Sequence, residues 1–183
     1  MKEFTRNEKG LLTHINYLFN DDGQVDWRKM IPSKYLYPNI QKKDRIEKII
    51  KVPINQYDPT KHLDVPDDCL CILLSGIRHL AILRGCTSLK TRPVVATQSY
   101  ACVTAEMTWI PNFELTPLTF GDSSSAHPGN VSGFGIDYLV EVATNRAFCR
   151  AVRNYLNINI VSKEELSGKE IELDVHKLSL IHI

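Results

Sequence analysis

The sequence predicts an α+β fold in which antiparallel strands are set between two helices, and three stretches carry that prediction. Tyr100–Ile110, YACVTAEMTWI, puts Ala101, Val103, Ala105, Met107 and Trp109 on one side and Tyr100, Cys102, Thr104, Glu106 and Thr108 on the other. That period of two belongs to a strand with one buried face. Ile136–Asn157 is apolar over most of a helical circumference, with cations on the remaining stripe, so it predicts a long helix packed on several sides. Cys69–Arg84, CLCILLSGIRHLAILR, is almost continuously apolar, too long for one strand, and stops at Gly85, which predicts a second helix ahead of the strands.

The remaining elements follow in chain order. Ile15, Tyr17 and Phe19 alternate and predict a strand, closed by the turn signal Asn20-Asp21-Asp22-Gly23. The acids of that turn lack the later ligands of a calcium loop. Residues 24–39 mix aromatics with cations and close at Pro38-Asn39; residues 40–55 read as a short basic helix or loop. After Tyr100–Ile110, Pro111-Asn112 predicts a turn, and Phe113–Phe120, FELTPLTF, a shorter return strand whose Pro117 favours an edge. Gly121–Gly135 is rich in Gly, Ser, Pro and Asn and predicts a mobile loop. Asn157–Asn159 supplies a helix stop, and Ile158–Val161 one more short strand. One domain over residues 1–161 is expected, with 162–183 a flexible, polar, acidic tail. Its last residues, LSLIHI, resemble translated adapter sequence at the end of an environmental reading frame, so the natural chain is expected to be longer.

Composition narrows the function classes. Hydrophobic residues make up 43% and charged residues 23%, which suits a packed globular chain and excludes a disordered or fibrous one. The net charge of +1 excludes a nucleic-acid site built on global excess, so any such site is a local concentration. Trp27–Lys51 holds eight basic residues against two acidic ones, whereas Ser162–His176 holds five acidic against two basic. The five cysteines, Cys69, Cys71, Cys86, Cys102 and Cys149, show no C-x-x-C spacing and are expected reduced and packed. The charged amino terminus leads into no apolar signal core, and no run reaches the roughly 18 apolar residues of a membrane span, so a cytoplasmic protein without a membrane partner is expected.

Arg146, Arg150 and Arg153 lie four and then three residues apart, within an arc of about 60° on one helix. On a largely apolar helix such cations must reach a groove or an anion. Asp137 and Glu141 lie off the stripe. Three partners remain open: carboxylates elsewhere in the chain, carboxylates of a neighbouring subunit, or phosphates. Guanidinium is a planar fork that fits phosphate, and a spacing of about 5.4 Å per turn tracks an extended single strand.

The segment RAFCRAVRNYL, Arg146–Leu156, resembles the helix signature of the single-strand annealing recombination proteins, the superfamily typified by the eukaryotic Rad-fifty-two mediator and its phage relatives. That signature reads Lys-Arg-Ala-Leu-Arg-x-Phe-Gly after an alanine-rich half. Arg150, Ala151, Val152, Arg153 and Tyr155 match it; Cys149 stands at the Lys and Leu156 at the Gly. The resemblance spans residues 11–166, including VDWRKMI near the start, the stretch Gly76–Glu114, and Ala126–Asn130. It implies a curved antiparallel sheet, a β-β-β-α core, crossed by the long helix and assembled into a ring or filament. It further implies a basic groove in which Arg150 and Arg153 hold the backbone of single-stranded DNA, with Arg146 assisting from one turn earlier.

The activity so implied is ATP-independent annealing of complementary strands in homologous recombination, without catalytic residues, cofactor or metal. The expected partners are single-stranded DNA, the annealed duplex intermediate, further copies of the chain, and a single-stranded DNA-binding protein or exonuclease of a bacterial host cell. Annealing requires grip through phosphates with base edges left free, and no phosphate-binding G-x-x-x-x-G-K-[ST] loop is present. Lys42, Lys43, Arg45, Arg84, Lys90 and Arg92 are further groove candidates, and Trp27, Tyr35 and Tyr37 candidate stacking residues. Two rivals remain. A metal-dependent nuclease would need an acid and Glu-x-Lys, but Glu106-Met107-Thr108 lacks the lysine. A scaffold would use its arginines on a neighbour's acids. His127, near Asp122, has no clustered partner, His14, His62 and His79 share no ligand spacing, and Ser123–Ser125 form no nucleophile elbow.

Overall fold

The computed structural model describes residues 5–111 and 116–166. The architecture is α+β, built on two open antiparallel sheets. The smaller sheet pairs β1 (Leu36–Pro38) with β2 (Leu70–Ile72), and α1 (Lys43–Ile50) lies between them in the chain. The larger sheet has the order β3-β4-β5, with β3 Cys86–Ala96, β4 Ala101–Trp109 and β5 Leu118–Ala126. Helix α2 (Leu74–Arg84) precedes it and α3 (Leu139–Tyr155) follows it, giving a continuous β-β-β-α unit. Among the described residues no helix is long and apolar enough to cross a membrane.

The alternation read in Tyr100–Ile110 is β4, and its odd-numbered face is fully covered. Ala101, Val103, Ala105, Met107 and Trp109 are all buried, and α3 packs along β4 and β5. Ala143, Ala147 and Ala151, one turn apart on α3, are fully buried with them, and residues this small let helix and sheet approach closely. At one end Trp109 stacks on Tyr155, with centroids 4.5 Å apart and planes 11° from parallel. Truncating Met107 or Trp109 to Ala is expected to cost roughly 2–5 kcal/mol.

Helix α2 ends where the glycine predicts. Gly85 has φ +90°, and a Cβ there would meet Ile110 Cγ1 at 2.5 Å, so both backbone conformation and space require glycine. The amino-terminal segment closes the helix end. Arg6 donates to the carbonyls of Leu83 (3.2 Å) and Ile82 (3.0 Å), and Tyr17 Oη donates to Leu83 O (3.2 Å). Cations and donors near a helix carboxyl end satisfy carbonyls that have no intrahelical partner.

Several sequence expectations are corrected. The helix expected from Cys69 starts at Leu74, because Leu70–Ile72 pair with Leu36–Pro38 as β2. Ile15–Phe19 forms no ladder; the nearby pairings are the isolated bridges Arg6–Leu12 and Phe19–Val25 around the Asn20–Gly23 turn. The first half of the expected loop Gly121–Gly135 is strand, since Gly121–Ala126 continues β5 against Ala101–Glu106. β3 escaped the periodicity because its polar positions and Pro93 suit only an edge, and the ladder shifts register between Pro93 and Val95. Ile158–Val161 is no strand, and the chain instead bridges Ile72 to Ser162 in parallel. Ser162–Leu166 depart from the tail expected from residue 162: Ser162 is fully buried and Lys163–Glu165 form a 3-10 turn with a capping box, and the rest of that expectation lies outside the described residues. The expectations for Phe113–Leu115, for Asn112 in its turn and for LSLIHI lie outside the described residues.

Candidate nucleic-acid interface

The arginine stripe resolves into one exposed cation and two that hold the chain's own carboxyl-terminal segment. Arg146 is buried and uses its whole fork internally. Nε donates to Glu164 O (2.7 Å), Nη1 to Ser125 O and Asn130 Oδ1 (both 3.1 Å), and Nη2 to Asn130 O (2.8 Å) and Leu166 O (3.3 Å). Burial pushes its pKa below the ordinary arginine value, partly offset by Glu164 and Glu165. Arg153 pairs with Glu165 and donates to Ile158 O (2.9 Å). The open question of partners is answered for both, by backbone carbonyls in one case and by the chain's own carboxylate in the other. The expected three-cation rail is thereby corrected: an arginine whose donors are satisfied in a desolvated pocket is a clamp.

Arg150 differs. Its side chain is 46% exposed and meets Asp122 only through Nε at 3.4 Å, while Asn154 Nδ2 donates to the other oxygen of Asp122 at 2.6 Å. It stands on the helix side of the sheet, beside β5, with most of its fork toward solvent.

The other cations fall on separate surfaces. Arg84 is buried, donating to Ile110 O (2.8 Å) and Tyr155 Oη (2.9 Å), with its guanidinium 5.4 Å from the Tyr155 centroid, so it braces the Trp109–Tyr155 stack. Lys42, Lys43 and Arg45 lie at the start of α1. Lys43 reaches Glu47 at 4.0 Å and Arg45 pairs with Asp68, which leaves Lys42 exposed beside them. The candidate stacking residues are occupied: Trp27 meets Tyr17 edge-on, Tyr35 tilts against His79 beneath Lys34, and Lys163 Nζ sits 4.7 Å over Tyr37.

Lys90 and Arg92 occupy a different setting. In β3 they stand directly opposite Glu106 and Thr104 of β4, whose even-numbered residues point away from α3. Both are exposed and, among the described residues, neither side chain takes part in a salt bridge or hydrogen bond. Arg92 and Lys90 therefore lie on the sheet face opposite to Arg150, and the single groove expected from sequence is divided between two sides of the sheet.

No described helix or strand covers this second face. Across its strands run Ser88, Lys90 and Arg92, then Cys102, Thr104, Glu106 and Thr108, then Thr119, Gly121, Ser123 and Ser125. Thr104 Oγ1 and Ser123 Oγ lie 2.9 Å apart, and Thr108 Oγ1 and Thr119 Oγ1 3.3 Å apart. A hydroxyl-lined, half-solvated face is the ordinary complement of a sheet buried on one side, but two exposed cations at its edge, without a side-chain partner among the described residues, are not needed for folding. No family model, curated protein sequence or solved structure matches this chain. The chemistry of this face is read from its own residues. Glu106 shares it with Lys90, whereas Asp122, opposite Ala105, faces α3, so the acids of adjacent strands do not converge. Sequence reasoning gave Thr104 and Tyr100 only as strand positions and Ser123 only as a loop serine, and looked for the strand's contacts among the cations and among Trp27, Tyr35 and Tyr37; the even-numbered half of the β4 alternation was the available signal.

Proposed function

We propose that this protein binds single-stranded DNA and anneals complementary strands in homologous recombination without nucleotide hydrolysis, acting as an oligomer. The observation that carries the reading is the uncovered face of a β-β-β-α unit, lined with hydroxyls and edged by Lys90 and Arg92, whose side chains have no partner among the described residues. Lysine and arginine grip phosphate without regard to sequence, and a three-stranded face about 10 Å wide and about 30 Å long suits one extended strand. Contact through phosphates leaves base edges free to test a second strand. Arg150, on the other side and also exposed, offers a further contact where a strand or a neighbouring copy passes the β5 edge.

Oligomerisation is supported by the outer edges of β3 and β5, which pair with no strand among the described residues, and by the exposed Val94, Phe134 and Tyr138. The reading implies a protein that works where host or phage DNA is exposed as single strands, in the bacterial cytoplasm, beside an exonuclease or a single-stranded DNA-binding protein.

The test is fluorescence anisotropy with labelled oligonucleotides over a salt series, together with annealing of complementary strands in the absence of ATP. Salt-sensitive binding of single strands and faster annealing are expected. A protein that neither binds at 50 mM salt nor accelerates annealing overturns the proposal, and divalent-ion-dependent cleavage of the same strands would replace it with the nuclease reading.

A further inference from the structure

The uncovered face ends in an aromatic pair. Tyr100 immediately precedes β4, in phase with Cys102, Thr104 and Glu106, and His127 immediately follows β5, opposite it. Their rings stack with centroids 6.1 Å apart and planes 17° from parallel, and Tyr100 remains 39% exposed. We propose that Tyr100, backed by His127, is a stacking platform for an unpaired nucleobase, at the end of a track that begins at Lys90 and Arg92. The inference rests on the nucleic-acid reading above and adds the base-contacting subsite.

Three features support it. First, the platform is rigid before any ligand arrives. Tyr100 N donates to Thr97 Oγ1 at 3.0 Å and Thr97 N to Tyr100 O at 2.8 Å, which fixes the turn. His127 N donates to Asn130 Oδ1 at 2.9 Å and Gly129 N to His127 Nδ1 at 3.1 Å. A Cβ on Gly129 would meet the imidazole at 2.8 Å, so the loop is folded closely over the ring. An imidazole and a turn backbone fixed in advance lose little freedom on binding.

Second, the spacing suits the ligand. Arg92 stands opposite Thr104, four residues along β4 from Tyr100, a separation of about 13 Å. That is about two nucleotides of an extended strand, with the hydroxyls of Thr104 and Ser123 beside the path.

Third, the chemistry changes along the path as such a ligand requires. Pro93–Ala101 contains no charged residue, so the phosphate grip ends at Arg92 and an uncharged, aromatic surface takes over. Stacking uses the π-face that every base has and leaves its pairing edge free, which is compatible with annealing and tolerant of sequence.

The experiment compares a fluorescein-labelled oligothymidylate with an abasic oligonucleotide of the same length, for the parent protein and for Y100A, Y100F and K90A/R92A. The parent is expected to bind the base-bearing strand about tenfold more tightly than the abasic one. Y100A should lose that preference while its abasic affinity and salt dependence stay as in the parent, and Y100F should retain the preference and show that the site is folded. K90A/R92A should weaken both strands alike. A parent without preference, or a Y100A variant that keeps it, overturns the platform while leaving strand binding intact. A parent that binds neither strand overturns the nucleic-acid reading together with this inference. A Y100A variant with unchanged preference and a smaller assembly mass by light scattering would assign the ring to contacts between copies and overturn it too.

Discussion

Arg153 and Glu165 form a forked ion pair that ties α3 to the carboxyl-terminal segment, Nε to Oε2 at 2.6 Å and Nη2 to Oε1 at 2.7 Å. The side chains are only 12% and 11% exposed, and Oε2 also accepts from Ser162 N at 3.0 Å. The carboxylate lies where the sequence pattern invited a phosphate. Removing one partner leaves a buried charge uncompensated, so R153A is expected to lower stability by about 3 kcal/mol. Affinity for single-stranded DNA should change less than twofold, and urea denaturation beside anisotropy separates the two effects. A variant with parental stability and lost binding would return Arg153 to the groove.

Arg146 makes five donor contacts to four carbonyls and one side-chain amide oxygen, joining the end of β5, the Asn130 turn and the terminal segment. Lysine has three donors and no planar fork, so R146K must strand at least two buried acceptors. The expected loss is about 3 kcal/mol, or roughly 10 °C in the melting midpoint for a chain of this size. Charge is conserved in this variant, so a fall in midpoint with unchanged salt dependence of DNA binding identifies a clamp. An unchanged midpoint with weakened binding would identify a phosphate contact.

How much of this was legible in the sequence depended on whether the signal was local. The β4 alternation and the Gly85 stop are properties of a few adjacent residues, and both were readable. β5 was not, because Gly121–Ser125 has loop composition and becomes strand only through its ladder to β4, with Ser123 matched to Thr104. β3 was hidden by Pro93, which an edge strand tolerates at a register shift. The arginine stripe was correctly placed on one helix face, but its partners come from residues 5–20 positions later, from β5 and from Asn130, and helical periodicity says nothing about what lies opposite a face. The division of Lys90 and Arg92 from Arg150 likewise needed the strand register.

The thiols provide a chemical map of the two sheet faces. Burial pushes Cys71 and Cys149 up to about 12, so both stay protonated and unreactive at pH 8, and Cys69 is fully buried. Cys86 and Cys102 are half-exposed; burial also raises Cys86. Titration of the native protein with a disulfide reagent at pH 8 should show two accessible thiols, three more appearing on denaturation. Cys102 lies on the uncovered face between Tyr100 and Thr104, whereas Cys86 stands opposite the buried Trp109. Saturating oligothymidylate should slow alkylation of Cys102 at least fivefold and leave Cys86 unchanged, as read by mass spectrometry of the labelled peptides. Protection of Cys86 alone would place the strand elsewhere.

The salt dependence of binding separates the two faces. Each phosphate neutralised on a single strand contributes about 0.7 to the slope of log K against log salt. K90A/R92A removes two cations that have no protein partner among the described residues, so the slope should fall by about 1.4, with an equal affinity loss for strands of different sequence. R150A should lower it by at most about 0.7, since Arg150 is partly engaged by Asp122. The two sites lie on opposite faces and share no partner among the described residues, so a triple variant should show the sum of the two losses. If R150A alone abolishes salt-sensitive binding while K90A/R92A leaves it intact, the strand runs along the helix side of the sheet, and the uncovered face must be given another occupant.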